Sequence, residues 1–199
     1  MHEEIAAAPG SGQEARPDEA RVQPANELER SCILVGMPGV GKTTIGRRLA
    51  SRLDMDFVDL DAAIEAEIGG SIRGYFELHG EPAFRNVESD MLGRVLVAGA
   101  CVLATGGGAV LHADNCQTMR EHGTVIYLRT SPELLARRLR NDTKRPLLQV
   151  DDPLKKLRQL YTARDPLYRA AAHYVIDTQR GSVATVANYI LMQLNMMNG

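Results

Sequence analysis

The residues most able to do chemistry begin with Gly36-Met37-Pro38-Gly39-Val40-Gly41-Lys42-Thr43. This run fits G-x-x-x-x-G-K-[ST], the loop that wraps a polyphosphate. An apolar stretch, Cys32-Ile33-Leu34-Val35, precedes it, and a helix-compatible stretch from Thr43 to Leu53 follows. Glycines let successive backbone N–H groups turn inward around an anion. The N-terminus of the following helix adds partial positive charge at the same point. The spacing assigns Gly39, Val40 and Gly41 to the phosphate cradle. It assigns Lys42 to the outer phosphates and the Thr43 hydroxyl, with Thr44 beside it, to the cation-binding end of the loop.

Three further clusters have chemical character. Phe57-Val58-Asp59-Leu60-Asp61 closes an apolar run. Alternation with period two puts Asp59 and Asp61 on one side of a strand end, where one could hold Mg²⁺ through water and the other accept a proton from a hydroxyl. The competing reading is that such acids cap the next helix. Gly106-Gly107-Gly108 allows a backbone to approach a small ligand closely and offers N–H donors. Arg85 follows Phe84 in a predicted helix, Arg138 stands near the loop at 141–151, Arg145 lies in a polar stretch of that loop and Arg169 in a short segment before the last strand. Guanidinium groups there could grip an anion in two-point fashion, the competing reading for each being a solvated surface position. None of the five histidines is spaced as a metal ligand pair, and no G-x-S-x-G is present. Cys32, Cys101 and Cys116 lack metal-type spacing and read as buried hydrophobes of a reducing compartment. Met192, Met196 and Met197 read as core or rim packing of the last helix.

These clusters need a scaffold. Short apolar runs predict strands at 32–36, 57–59, 101–105, 124–128 and 174–177. Helical patterns fall at about 43–53, 61–68, 83–98, 131–140, 153–165 and 182–197. Alternating strands and helices imply β-α-β units, hence an α/β fold of three layers, with a central five-stranded parallel sheet between helices. Ligands of such sheets collect beyond the carboxyl ends of the strands, where each cluster above begins.

Of 199 residues, 44% are hydrophobic and 24% charged, with net charge −2, the balance of a globular domain with a sizeable core. There is no basic excess and no Trp, which argues against nucleic acid as partner. An uncharged run of 17 residues at 95–111 falls short of a membrane span and is broken by four glycines. It reads as a helix end, a buried strand and a glycine loop. No secretory leader is evident, so a cytoplasmic location is expected. Residues 1–30 hold seven acids and three arginines, net −4, and almost no large apolar side chains; they read as a mobile tail. The remaining 169 residues carry 18 acids and 20 bases, net +2, which suits an anionic nucleotide. Residues 31–199 are read as one domain.

Taken in order, the P-loop, Asp59-Leu60-Asp61, Phe84-Arg85, Gly106-Gly107-Gly108, Arg145-Pro146-Leu147-Leu148 and Leu167-Tyr168-Arg169 resemble the motifs of the shikimate kinases. These are P-loop kinases of the nucleoside-monophosphate-kinase-like fold, and the resemblance spans about residues 31–195. It implies ATP and Mg²⁺ as cofactors and transfer of the γ-phosphate to the 3-hydroxyl of shikimate. It implies Thr43 and Asp59 at the metal, Asp61 as base, and Arg85 and Arg169 on the shikimate carboxylate. Gly106, Gly107 and Gly108 would line the acceptor pocket, and the segment at about 61–88 would form the substrate-binding region, with Phe76, Phe84 and Glu88 as supporting residues. Arg145 would come from a lid at about 141–151 to the transferring phosphate, and Arg138 would lie near the adenine, whose edge residues 178–182 would close. A monomer is expected. Two other readings stay open at this point: a gluconate-type or nucleotide kinase of the same fold, and a nucleotide-binding switch without metabolic turnover.

Overall fold

The computed structural model describes residues 30–140 and 151–197. The expected lid, apart from Asp151, and the expected tail, apart from Arg30, lie outside them. Among the described residues, five strands form one sheet: β1 (Ser31–Val35), β2 (Phe57–Asp59), β3 (Val102–Ala104), β4 (Gly123–Arg129) and β5 (Tyr174–Asp177). Their order is β2-β3-β1-β4-β5 and every pairing is parallel. β1 is the centre, with Cys32 beside Val102 on one side and Thr124 on the other. Its five residues are all buried, as a strand covered on both faces requires. From β1 the chain first builds toward β2 and β3, then crosses to β4 and β5. The carboxyl end of β1 is therefore the switch point at which such sheets bind ligands.

The helices are α1 (Lys42–Leu53), α2 (Leu60–Ile68), α3 (Ile72–Ala98), α4 (Ala113–His122), α5 (Pro132–Arg138), α6 (Pro153–Ala171) and α7 (Val183–Met197). α1 and α7 pack together on one face; α4 lies between α3 and α6 on the other. The expected fold class is thus observed. The uncharged run at 95–111 is the end of α3, then β3, then the glycine loop and a 3₁₀ turn at Ala109–Leu111. No described helix is long and apolar enough to cross a membrane.

Three helical segments exceed the sequence expectation. α3 carries an extra helical run ahead of the one expected at 83–98: it starts at Ile72, where Ser71 caps it by accepting from the Gly74 N–H at 3.1 Å. It bends at Gly80 (φ 79°, ψ 170°), and Pro82 stands just beyond, where a new helical start tolerates it. α4 is polar on most of its surface, with only Asn115 and Met119 buried, so its apolar periodicity is too weak to read. α6 continues through Pro166 to Ala171, placing Tyr168 and Arg169 on a helix rather than in a connecting segment. Met192 and Met196 are exposed, at the rim rather than in the core.

The edge strand β5 is fastened to β4 through His173. Its backbone N–H donates to the Val125 carbonyl at 2.8 Å, and its ring Nδ1 accepts from the Val125 N–H at 2.9 Å. That acceptor exists only on the neutral ring. Desolvation, then the nearby Arg120 and Arg30 cations, hold the imidazole below its ordinary value of 6.5. A base whose folded pKa is lowered contributes stability above its unfolded value, and that stability is lost as pH falls through the folded value. His173→Ala should therefore cost about 1 kcal/mol at pH 8. The cost should shrink as pH drops below 6.5, as read by denaturant unfolding at the two pH values.

Candidate active site

The P-loop leaves β1 at Gly36 and enters α1 through Gly41, whose φ of 107° is a left-handed value that an L side chain would strain. α1 therefore starts without a side-chain cap, which leaves the N–H groups of its first turn without a capping side chain at the end of the loop. Lys42 Nζ donates to the Gly36 carbonyl at 2.8 Å and the Met37 carbonyl at 3.2 Å, which holds the ammonium inside the curl of the loop. Thr43 Oγ1 donates to Asp59 Oδ2 at 2.7 Å. The two expected metal residues, 16 positions apart, are thereby joined.

Asp59 and Asp61 do not share a strand face. Asp59 ends β2 and is the N-cap of α2, its Oδ1 accepting from the Ala62 N–H at 3.4 Å. Asp61 is in the first turn of α2. Capping and site-building are both true of Asp59: one oxygen serves the helix and the other Thr43. The helical turn, not strand alternation, aims Asp61 at the glycine loop.

That loop is the meeting place of the site. Thr105 extends the pairing of β3 with β1, its N–H and its hydroxyl both donating to the Leu34 carbonyl, at 3.1 and 3.0 Å. The next three residues then pass beside the P-loop. A Cβ on Gly106 would lie 2.7 Å from Asp61 Oδ1 and 2.9 Å from Glu88 Oε1. One on Gly107 would lie 2.9 Å from the Pro38 ring, and one on Gly108 would fall on the Arg85 guanidinium. Each glycine thus makes room for a different part of the site.

Arg85 is set by α3. Its Nη1 donates to Glu88 at 2.6 Å and its Nη2 to Glu81 at 2.9 Å, one turn to either side along the helix. Its guanidinium also lies over the Phe84 and Phe76 rings, 5.3 and 5.9 Å from their centroids. Glu88 is 1% exposed, whereas Glu81 is largely in solvent. Burial pushes the Glu88 carboxyl up, Arg85 opposes this, and Asp61 adds to it. The three supporting residues expected at 76, 84 and 88 are brought together around Arg85.

The second expected carboxylate-binding arginine is not brought there. Arg169 Nε donates to Asp165 Oδ2 at 2.7 Å along α6. Asp165 in turn accepts from the Tyr127 hydroxyl at 2.9 Å. Residues 165 and 169 form one stripe of the helix; residues 164 and 168 form the neighbouring stripe, which meets the glycine loop. Arg164 Nη1 donates to the Gly107 carbonyl at 3.2 Å, and so does the Tyr168 hydroxyl, at 2.6 Å. Sequence reasoning passed over Arg164 because it ended the helix before Pro166. Extending the helix puts 164 and 168 one turn apart on the same face.

Arg138 bridges the two sides of the P-loop mouth, donating to the Val40 carbonyl at 3.2 Å and the Thr178 carbonyl at 3.4 Å. This links the P-loop to the turn after β5. Arg145 lies outside the described residues. Among the described residues no group of three or more His, Cys, Asp and Glu is set to hold a metal. The three cysteines are free thiols. Cys32 is wholly buried and its thiol is pushed up to about 12 by burial, so it is unreactive at neutral pH.

A family model for shikimate kinase matches residues 38–195. The shikimate kinase of Burkholderia thailandensis is 52% identical over 172 residues, 86% of this chain and 94% of that protein. That of Paracidovorax citrulli is 51% identical over 166 residues, 82% of this chain and 91% of that one. Among solved structures, a shikimate kinase from Acinetobacter baumannii in complex with shikimate superposes with a TM-score of 0.81 at 45% identity, covering 86% of this chain and 96% of that one. A gluconokinase from Sinorhizobium meliloti shares the fold alone, with a TM-score of 0.60 at 18% identity, covering 85% of this chain and 94% of that one. With a family model matched over most of its length and relatives half identical, the chain belongs to the shikimate kinase family.

Proposed function

We propose that the protein transfers the γ-phosphoryl group of ATP to the 3-hydroxyl of shikimate, giving shikimate 3-phosphate and ADP, a step of aromatic amino acid biosynthesis. The observation that carries this reading is the convergence on one glycine loop of a P-loop, a carboxylate and two arginines. An acceptor lying there could present a hydroxyl to Asp61 and a carboxylate to the guanidinium groups while facing Lys42. The bond formed joins the acceptor oxygen to the γ-phosphorus, and the bond broken joins that phosphorus to the β–γ bridging oxygen. The hydroxyl proton passes to Asp61. There is little covalent chemistry for the protein to perform, so rate comes from alignment and charge stabilisation. The P-loop N–H groups and Lys42 would hold the β- and γ-phosphates, and Arg138 would lie along the nucleotide side.

Mg²⁺ fits the residues present. The Thr43 hydroxyl and the Asp59 carboxylate touch at the end of the P-loop. Oxygen donors of that type and number suit a hard cation that keeps most of its waters. When bound there, the ion would neutralise phosphate charge. Arg145, outside the described residues, keeps the role its resemblance implies at the transferring phosphate. The unit doing this work is taken as residues 31–199, a monomer in the cytoplasm, with residues 1–30 taking no part.

For the acceptor carboxylate, the contacts favour Arg85 with Arg164 over Arg85 with Arg169. Arg164 faces the same loop as Arg85, whereas Arg169 is engaged by Asp165 on the adjoining stripe. Arg164→Met should raise the shikimate KM at least tenfold, the loss of roughly 1.5–3 kcal/mol expected for a charged hydrogen bond. Arg169→Met should change it less than threefold. The opposite ranking would return the clamp to Arg169.

Turnover of shikimate with ATP, read by coupled ADP release, tests the activity itself. Faster turnover of gluconate or of a nucleoside monophosphate would sink the reading, and no ADP release with any acceptor would favour a switch. Lys42→Ala should remove most turnover and leave the thermal midpoint within a few degrees of wild type. Asp61→Asn should lower kcat by a factor of about a hundred or more, the scale of a lost general base, with the ATP KM nearly unchanged. Equal losses in rate and in ATP binding would make Asp61 a structural residue.

A further inference from the structure

Tyr168 belongs to none of the groups assigned above, yet it makes the shortest contact on the glycine loop. Its hydroxyl donates to the Gly107 carbonyl at 2.6 Å, and its side chain is fully buried. The ring stacks on that of Tyr127, with centroids 4.9 Å apart and planes 26° from parallel. Tyr127 is itself buried in β4 and donates to Asp165, which Arg169 holds from the solvent side. The phenol is therefore anchored through its partner ring to the sheet and to α6 and cannot swing away without unpacking the core. Burial pushes its hydroxyl up to about 12, so it stays a donor at any working pH.

The consequence lies in the peptide it holds. A trans peptide is planar, with its N–H opposed to its C=O. Drawing the Gly107 carbonyl toward α6 turns the N–H of Gly108 away from α6. Glycine, lacking a Cβ, would otherwise rotate this peptide freely. Arg164 donates to the same carbonyl, so its guanidinium is positioned by the peptide that Tyr168 orients. Gly108 packs against the Arg85 guanidinium. One hydroxyl thus lies at the junction of both arginines and the loop between them.

We propose that Tyr168 is a positioning residue for acceptor binding: through its hydrogen bond to the Gly107 carbonyl it sets the glycine loop and the Arg164 guanidinium in the arrangement that receives the acceptor. The inference rests on the reading of this site as the shikimate pocket. It gives Tyr168 no contact with the nucleotide and no part in proton transfer.

Tyr168→Phe keeps the ring, its volume and the stack on Tyr127, and removes only the donor. It should raise the shikimate KM roughly five- to tenfold, the factor that corresponds to a lost hydrogen bond of ~1 kcal/mol. The ATP KM and kcat at saturating shikimate should stay within twofold of wild type. Tyr127→Phe is the control. It removes a hydroxyl from the partner ring of the same stack, but one bonded to Asp165 instead of the glycine loop, and should lower the thermal midpoint while leaving the shikimate KM unchanged. Should Y168F be too unstable to assay, 4-fluorophenylalanine at 168 removes the donor while filling the space. 4-Aminophenylalanine there restores a donor and should restore the KM. A shikimate KM within twofold of wild type for the non-donor variants overturns the proposal, as does an equal KM rise in Y127F. If the wild-type protein does not turn over shikimate at all, the reading of the site fails instead, which separates the two outcomes.

Discussion

The site depends on how closely two loops can run side by side. β1 and β3 are neighbours in a parallel sheet, so their carboxyl ends emerge a strand spacing apart and both must turn there. Thr105 continues the pairing one residue beyond β3 by giving both its N–H and its hydroxyl to the Leu34 carbonyl. From that point the glycine loop has Pro38 of the P-loop against it, with no room for a side chain between. The P-loop and the glycine loop are thereby held at a fixed separation by hydrogen bonds to the Leu34 carbonyl.

Glycine serves this arrangement in two physically different ways. In the P-loop, Gly39 and Gly41 have φ of 81° and 107°, so the backbone conformation itself excludes other residues. In the loop at 106–108 no glycine has a left-handed φ. There the requirement is space, because Asp61, Pro38 and Arg85 each occupy the position a Cβ would take. An alanine in the first case strains the chain; in the second it pushes away a neighbouring group of the site.

Charge is arranged so that the arginines stay put while still facing the pocket. Arg85 has one buried carboxylate, Glu88, and one exposed, Glu81. The buried partner is costly to lose, since it would leave an uncompensated charge in the interior. The exposed one contributes little, because solvent screens it. Holding a cation firmly on one side and loosely on the other is a means of presenting it to an incoming anion. Arg169, by contrast, closes a surface network with Asp165 and Tyr127, whose buried hydroxyl anchors α6 to β4.

Much of this was legible in the residues themselves. The five strands, the parallel sheet and the P-loop were readable because buried strands and glycine spacing are local signals. The meeting of Thr43 with Asp59 and of Asp61 with Gly106 followed from the resemblance, since strand alternation alone put both aspartates on one face. The start of α3 was hidden by the break at Gly80 and Pro82, α4 by its polar surface, and the end of α6 by Pro166. The last of these mattered most. The sequence by itself determined the sheet and the P-loop and offered Arg169 for the acceptor; only the folded helix put Arg164, and not Arg169, on the glycine loop. A difference of five residues is about one and a half turns, enough to carry one guanidinium onto the glycine loop and leave the other on the neighbouring stripe. Which face α6 turns toward the loop is settled by the packing of Tyr168 on Tyr127 across forty-one residues of chain, a contact that no local pattern encodes.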